Sequence, residues 1–126
     1  MNKITNGNFK DNIKKRNGEL WVMGHFIDPK SPLHSKDLEI KWALHHPGES
    51  QNVTVVNKKS KTLAILIRGK TSLKFPDKKK EIILKKEGDY VYWDEGVSHN
   101  WKVFEESLII AIRWPSIPGD QKKVKR

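Results

Sequence analysis

The chain has 126 residues and a mass of 14.7 kDa, room for one domain around one modest core. It contains no cysteine, which excludes disulfides, thiolate catalysis and cysteine-held zinc. Its 25 basic and 15 acidic residues give a net charge of +10, a balance that raises the prior for an anionic partner.

Residues 1–17 are polar and read as a loosely ordered arm. Met1–Arg16 has no apolar core of a secretory signal, so a cytoplasmic location is expected. From Leu20 onward the apolar residues come in short runs and alternations rich in Val, Ile, Leu, Thr and aromatics, which is the pattern of strands. Leu20–Ile27 is the first, ended by Asp28-Pro29-Lys30-Ser31-Pro32. Leu38–Leu44 follows and stops at Pro47-Gly48, and Val53–Val56 is weaker. Thr62–Arg68 leads through Gly69 into Thr71–Phe75, and Pro76-Asp77-Lys78 turns the chain into Glu81–Leu84. Gly88 precedes Tyr90–Trp93, and Asp94-Glu95-Gly96 reads as a hairpin turn into Ser98–Phe104. Glu105-Glu106 reads as another turn before Ser107–Arg113, which Pro115 and Pro118-Gly119 stop. Residues 119–126 form a basic tail. Short strands between polar turns indicate an all-β sandwich or closed barrel over residues 18–118. The longest apolar stretches, Leu63–Ile67 and Leu108–Ile112, are far shorter than the ~20 residues of a membrane helix.

The lysine runs, such as Lys58-Lys59-Ser60-Lys61 and Lys78-Lys79-Lys80, fall at turns and termini and form no single stripe. Arginine, the usual base-reading residue, is scarce. Solvated turns therefore explain the charge better than a nucleic-acid surface, and a basic nucleic-acid-binding β-barrel is the lesser alternative.

The stretch that carries chemistry is Gly88, five residues, Asp94, one residue, Gly96, two residues, His99. Gly96 can take the positive φ that a hairpin needs, and His99 then lies near the start of the returning strand, where an imidazole can point into a barrel. This spacing resembles the second sequence motif of the cupin superfamily, with Asp94 where that motif has proline and Val103 where it has asparagine. The first cupin motif, two histidines, a glutamate and a closing glycine, admits two alignments. Read forward, Ala43 takes the first histidine position, His45 the second and Glu49 the glutamate. Read backward from Gly69, the glutamate position falls on Thr62. The chain resembles a small single-domain cupin, an RmlC-like jelly roll of uncharacterised function, over roughly residues 38–115.

The resemblance implies a double-stranded β-helix with a small-molecule pocket. His45 and His99, with Glu49, are the candidate ligands of a divalent transition metal (Fe, Mn, Ni or Zn), since two histidines and a carboxylate suit such an ion. The metal would act as a Lewis acid in oxygenase, isomerase or lyase chemistry. Trp93, Trp101, Thr62 and Arg113 are the candidate pocket wall, and Arg113 either anchors a substrate carboxylate or pairs with an acid such as Glu49 or Asp94. His46, beside His45, faces the opposite way and belongs on the surface, as does His34 in its Pro-rich connection. Thr62 at the glutamate position favours the alternative of a metal-free cupin that binds a ligand without catalysis. The resemblance also implies a homodimer, with Leu20–Ile27 as the segment to exchange or pair.

Overall fold

The computed structural model describes residues 3–11, 15–16 and 19–124; of 15–16 it describes the backbone. Nine strands follow in chain order among these residues. They are β1 (Lys15–Arg16), β2 (Glu19–Met23), β3 (Glu39–His45), β4 (Val55–Asn57), β5 (Lys61–Phe75), β6 (Lys80–Leu84), β7 (Tyr90–Trp93), β8 (Asn100–Trp114) and β9 (Gln121–Lys123). Helix is confined to two short 3-10 turns, Phe9–Asp11 and Pro76–Lys78. No helix among the described residues is long and apolar enough to cross a membrane.

The architecture hangs on β5 and β8, two 15-residue strands paired antiparallel along most of their length. The main sheet runs β1-β2-β3-β8-β5-β6. The free edge of β5 is shared: Thr62–Ile65 pairs with β7, and Thr71–Phe75 pairs with β6. On its far edge β8 pairs with β3 through Ser107–Arg113 and makes a bridge from Lys102 to Ser50. A small second sheet joins β4 to β9. The two long strands thus belong to both walls of a jelly roll, with a core of Ala64, Leu66, Leu73, Phe75, Leu84, Trp93 and Ile109 between them. Leu66, Leu84 and Val103 are at most 1% exposed, and burying each such side chain stabilises the fold by about 2 kcal/mol.

The sequence suggested turns at Gly69 and at Glu105-Glu106, each dividing one strand from the next. The strands run straight through both points. The pairing slips between Leu66 and Thr71, and the sheet bends there by bulging. Ser107 secures the bend: its Oγ accepts from Lys70 N at 3.0 Å and Thr71 Oγ1 at 2.9 Å, and donates to the Glu105 carbonyl at 2.7 Å. Gly69 has φ +106°, and a Cβ there would lie 2.2 Å from the Glu106 carbonyl oxygen. Polar residues at this corner are therefore a bulge signal that imitates a turn signal.

Other boundaries also differ from expectation. β2 stops at Met23 instead of Ile27, because Gly24 turns the chain to bridge His34. Residues 119–126 were expected as a loose tail, yet their first part is built in: β9 pairs with β4, and Asp120 accepts hydrogen bonds from Lys59 N and Ser60 N. His34, expected on the surface, is only partly exposed and donates from Nδ1 to the Ile27 carbonyl at 2.8 Å. The arm expected over residues 1–17 lies partly outside the described residues; within them, β1 pairs with β2.

Candidate functional site

Strand alternation turns Lys41, Ala43 and His45 of β3 inward together. Across the ladder they meet Ala111 and Ile109 of β8, and Ala64 of β5 lies opposite Ala111. Three alanines on one inner wall leave space unfilled, and a cavity of about 600 Å³ results. His45, His99, Glu49, Trp93, Trp101, Thr62 and Arg113 all line it. So do Glu19 of β2, Lys41 and Gln51, which the sequence reading did not select. Alternation from His45 back through Ala43 could have found Lys41; Glu19 needs the β2–β3 register, which places it opposite Ala43.

One chain of charges crosses this wall. Lys41 Nζ is 2.7 Å from Glu19 Oε2, the same oxygen is 3.7 Å from His45 Nε2, and His45 Nδ1 donates to Glu49 Oε2 at 2.8 Å. Burial opposes charge on His45, but its contacts with Glu19 and Glu49 outweigh that and raise its pKa above 6.5. Burial would raise Glu19, yet His45 and Lys41 bring its pKa down to about 2. Glu49 is lowered chiefly by its hydrogen bond with His45. The His45 ring packs on Trp101 with centroids 4.3 Å apart.

His99 has the opposite setting. It is 3% exposed, bridged to Val55 and packed on Trp93 at 4.6 Å. Burial first, then the charges of Arg113 and Lys41, bring its pKa down to about 4, against a smaller opposing effect of the Val97 carbonyl. Nδ1 donates to that carbonyl at 3.0 Å, so the neutral ring carries its proton there and presents Nε2 as an acceptor.

Arg113 pairs with Glu39, its cross-strand neighbour, and not with Glu49 or Asp94 as the sequence suggested. The contact is loose, 3.8 Å from Nη1 to Glu39 Oε2, and Nε has no partner. Glu39 also accepts from Ser116 Oγ at 3.1 Å, and Ser116 Oγ lies 2.7 Å from His25 Nδ1. A second cavity, of about 860 Å³, shares Trp21, Arg113 and Gln121 with the first. Gln51 Oε1, Thr62 Oγ1 and Trp93 Nε1 are also buried and unpartnered in the lining side chains. His46 is exposed as expected, its Nδ1 3.6 Å from Glu106.

The residues expected to hold a metal are engaged with one another: His45 Nδ1 bonds to Glu49, and its Nε2 faces Glu19 at 3.7 Å. His99 looks into the field of two cations, Lys41 and Arg113, which opposes a further positive ion. Among the described residues no group of three or more His, Asp or Glu is arranged to hold a metal ion.

No protein-family model matches the chain, and no curated protein is similar to it in sequence. Solved structures share its fold. An uncharacterised conserved protein with a double-stranded beta-helix domain from Klebsiella pneumoniae matches over 98% of this chain and 100% of its own, with a TM-score of 0.71 at 15% identity. A Cupin 2 conserved barrel domain protein from Salinispora arenicola matches over 90% of each chain, with a TM-score of 0.64 at 18% identity. The DMSP lyase DddQ from Ruegeria pomeroyi matches over 82% of this chain and 49% of its own, with a TM-score of 0.64 at 11% identity. Identities this low carry the fold alone, and with the strand order described above that fold is a double-stranded β-helix.

Proposed function

We propose that the barrel binds a small molecule in the cavity and holds its anionic group, a carboxylate in the simplest case, beside Arg113, Lys41 and His99. The observation that carries this reading is Arg113: a largely buried guanidinium in the cavity wall whose ion pair with Glu39 is loose, at 3.8 Å, and whose Nε is unpartnered among the described residues. A guanidinium has five donors in a rigid fork, and a bound carboxylate satisfies two of them at once. Lys41 adds positive potential, the tryptophans supply apolar wall, and the unpartnered Thr62 and Gln51 oxygens add polar capacity for the rest of the ligand.

A second reading, proton transfer on the bound molecule, is favoured by the opposed states of the two histidines. Both rings line the cavity: His99 commits Nδ1 to the Val97 carbonyl and keeps Nε2 as an acceptor, and His45 lies between two carboxylates, so either ring can exchange a proton with a bound molecule. The fold shared with a DMSP lyase is compatible with it. We propose also that the chain works as a pair of identical chains.

The test is calorimetric titration of the untreated protein with small carboxylates, their uncharged amides and divalent transition metals, in wild type and Arg113→Met. The expected result is carboxylate binding that weakens at least about tenfold in the variant, with amides binding no better than the variant does. Equal binding of acids and amides overturns the reading. So does a stoichiometric transition metal in untreated protein that disappears in His99→Ala.

A further inference from the structure

Lys41 is a lysine inside the barrel, where lysine is rare. Its side chain is 14% exposed and lines the cavity, with Glu19 Oε2 at 2.7 Å from Nζ. An ammonium has three donors, and this ion pair occupies one of them. Register explains why it lies beside Arg113. Lys41 stands opposite Ala111 in the β3–β8 ladder, so Arg113, two residues on, is its diagonal neighbour on the same face. Both cations lie against the Trp21 indole, Lys41 Nζ 5.3 Å and the Arg113 guanidinium carbon 5.8 Å from its centroid. Burial and the Arg113 charge lower the Lys41 pKa from 10.5, against the pull of Glu19 and Glu39. A desolvated amine beside a second cation is the setting in which lysine becomes a nucleophile toward carbonyl groups.

We propose that Lys41 forms an imine with an α-keto acid bound in the cavity. The inference deepens the anion-binding reading and rests on it: Arg113 takes the carboxylate, and Lys41 meets the carbonyl carbon next to it. Diagonal neighbours on a sheet stand about 7–8 Å apart, so a carbonyl one bond from a carboxylate spans the two side-chain ends. Ala111 opposite Lys41, with Ala43 and Ala64 on the same wall, leaves the room that such a molecule needs. The step balances within the site. The Nζ lone pair adds to the carbonyl carbon, and the carbon–oxygen π pair moves onto oxygen. Of the three ammonium protons, two go to that oxygen, which leaves as water, and one stays on the iminium nitrogen. Glu19, 2.7 Å from Nζ, is placed to pass protons from nitrogen to oxygen. The positive charge on Lys41 is the same before and after, so its pairing with Glu19 survives, and neither an oxidant nor a reductant is needed. The iminium draws electrons from the adjoining carbon, and His99, with Nε2 kept as an acceptor, lines the same cavity.

The experiment is trapping of the full chain with pyruvate and cyanoborohydride, which reduces an iminium to a stable secondary amine, with peptide mass mapping to place the adduct. The expected result is a carboxyethyl group on Lys41, at least about tenfold enriched over the chain's other lysines. Acetone, which has a methyl group in place of the carboxylate, is expected to react at Lys41 at least about tenfold more slowly, and Arg113→Met is expected to erase that preference. Lys41→Arg keeps a cation beside Glu19 and is expected to lose the adduct. The mapping of wild type needs no variant, so the proposal stays testable if either variant fails to fold. An adduct spread evenly over the lysines, or none, overturns the imine, and makes Lys41 a structural partner of Glu19; carboxylate binding by calorimetry then decides the anion reading separately. Equal trapping of pyruvate and acetone at Lys41 overturns the α-keto acid and, with it, the carboxylate at Arg113.

Discussion

Glu49 Oε2 lies 2.8 Å from His45 Nδ1, a pair four residues apart that joins the end of β3 to the loop beside the cavity. With Glu19 it keeps the His45 imidazole charged above its ordinary range. Glu49→Gln removes one of the two carboxylates, and the His45 pKa is expected to fall back toward 6.5 in an NMR titration. Glu49 is 39% exposed, so solvent screens the pair and the cost to stability is about 0.5 kcal/mol. The raised pKa contributes stability that is complete below 6.5 and fades as pH climbs through the folded value. An unchanged His45 titration in the variant would show that Glu19 alone retains the proton.

His99 works in the other direction. Its folded pKa of about 4 lies below the ordinary 6.5, so the unfolded chain takes up the proton first as pH falls. Stability is full above 6.5 and is lost between 6.5 and about 4, by about 3 kcal/mol. His99→Gln removes the titration and keeps a neutral polar side chain. Urea midpoints at about pH 7 and about pH 4.5 are expected to differ markedly less in the variant than in the wild type. Equal acid losses in the two proteins would refute a neutral, buried His99.

What the sequence disclosed and what it concealed follows from the range of the interactions involved. Local pattern was enough for the tyrosine and tryptophan faces of β7 and for a positive φ of +80° at Gly96, but the hairpin expected there does not form: β7 pairs with β5, and the chain after Gly96 crosses to β3 and the other edge of β5. Strand periodicity brought His45, His99, Thr62 and Arg113 toward one interior. Register was not legible, and the errors lie there. Arg113 meets Glu39 because residue 39 stands opposite residue 113 in the β3–β8 ladder, a pairing no spacing along the chain reveals. Glu19 reaches His45 for the same reason. The set His45, His99 and Glu49 could be picked from spacing along the chain, whereas Glu19, 3.7 Å from the other nitrogen of His45, comes from a different strand and could not.

The corner of the barrel can be tested at a single atom. A methyl group at position 69 would stand 2.2 Å from the Glu106 carbonyl oxygen and 2.4 Å from Ser107 Oγ, at a φ that a side chain disfavours. Neither obstacle is a flexible side-chain end, since Ser107 Oγ is fixed by three hydrogen bonds. Gly69→Ala is expected to cost about 3 kcal/mol or more by denaturant unfolding, because the bulges of β5 and β8 must both shift. Gly88→Ala has an unfavourable φ of +90° but open space around it, and is expected to cost about 1 kcal/mol. Equal losses at the two positions would mean that backbone conformation, not the close approach to Ser107, makes glycine necessary at 69.

Asp120 ties the end of the chain to the barrel. Its two carboxylate oxygens accept from Lys59 N at 2.9 Å and Ser60 N at 3.0 Å, and its carbonyl accepts from Lys58 N at 3.2 Å. Burial would raise its pKa, but the amides of Ser60 and Lys59 hold it below 3.8. Asp120→Ala strips a charged acceptor from two amides at the start of β5, and a loss of about 2 kcal/mol is expected. Asp120→Asn keeps one acceptor oxygen and should lose about half as much. Hydrogen exchange locates the effect: the amides of residues 59 and 60 and those of the β4–β9 pair should open faster, while Ile109 in the core changes only with global stability. Uniform acceleration across β4, β9 and the core would show that the tail and barrel unfold as one unit and that Asp120 is no local clasp.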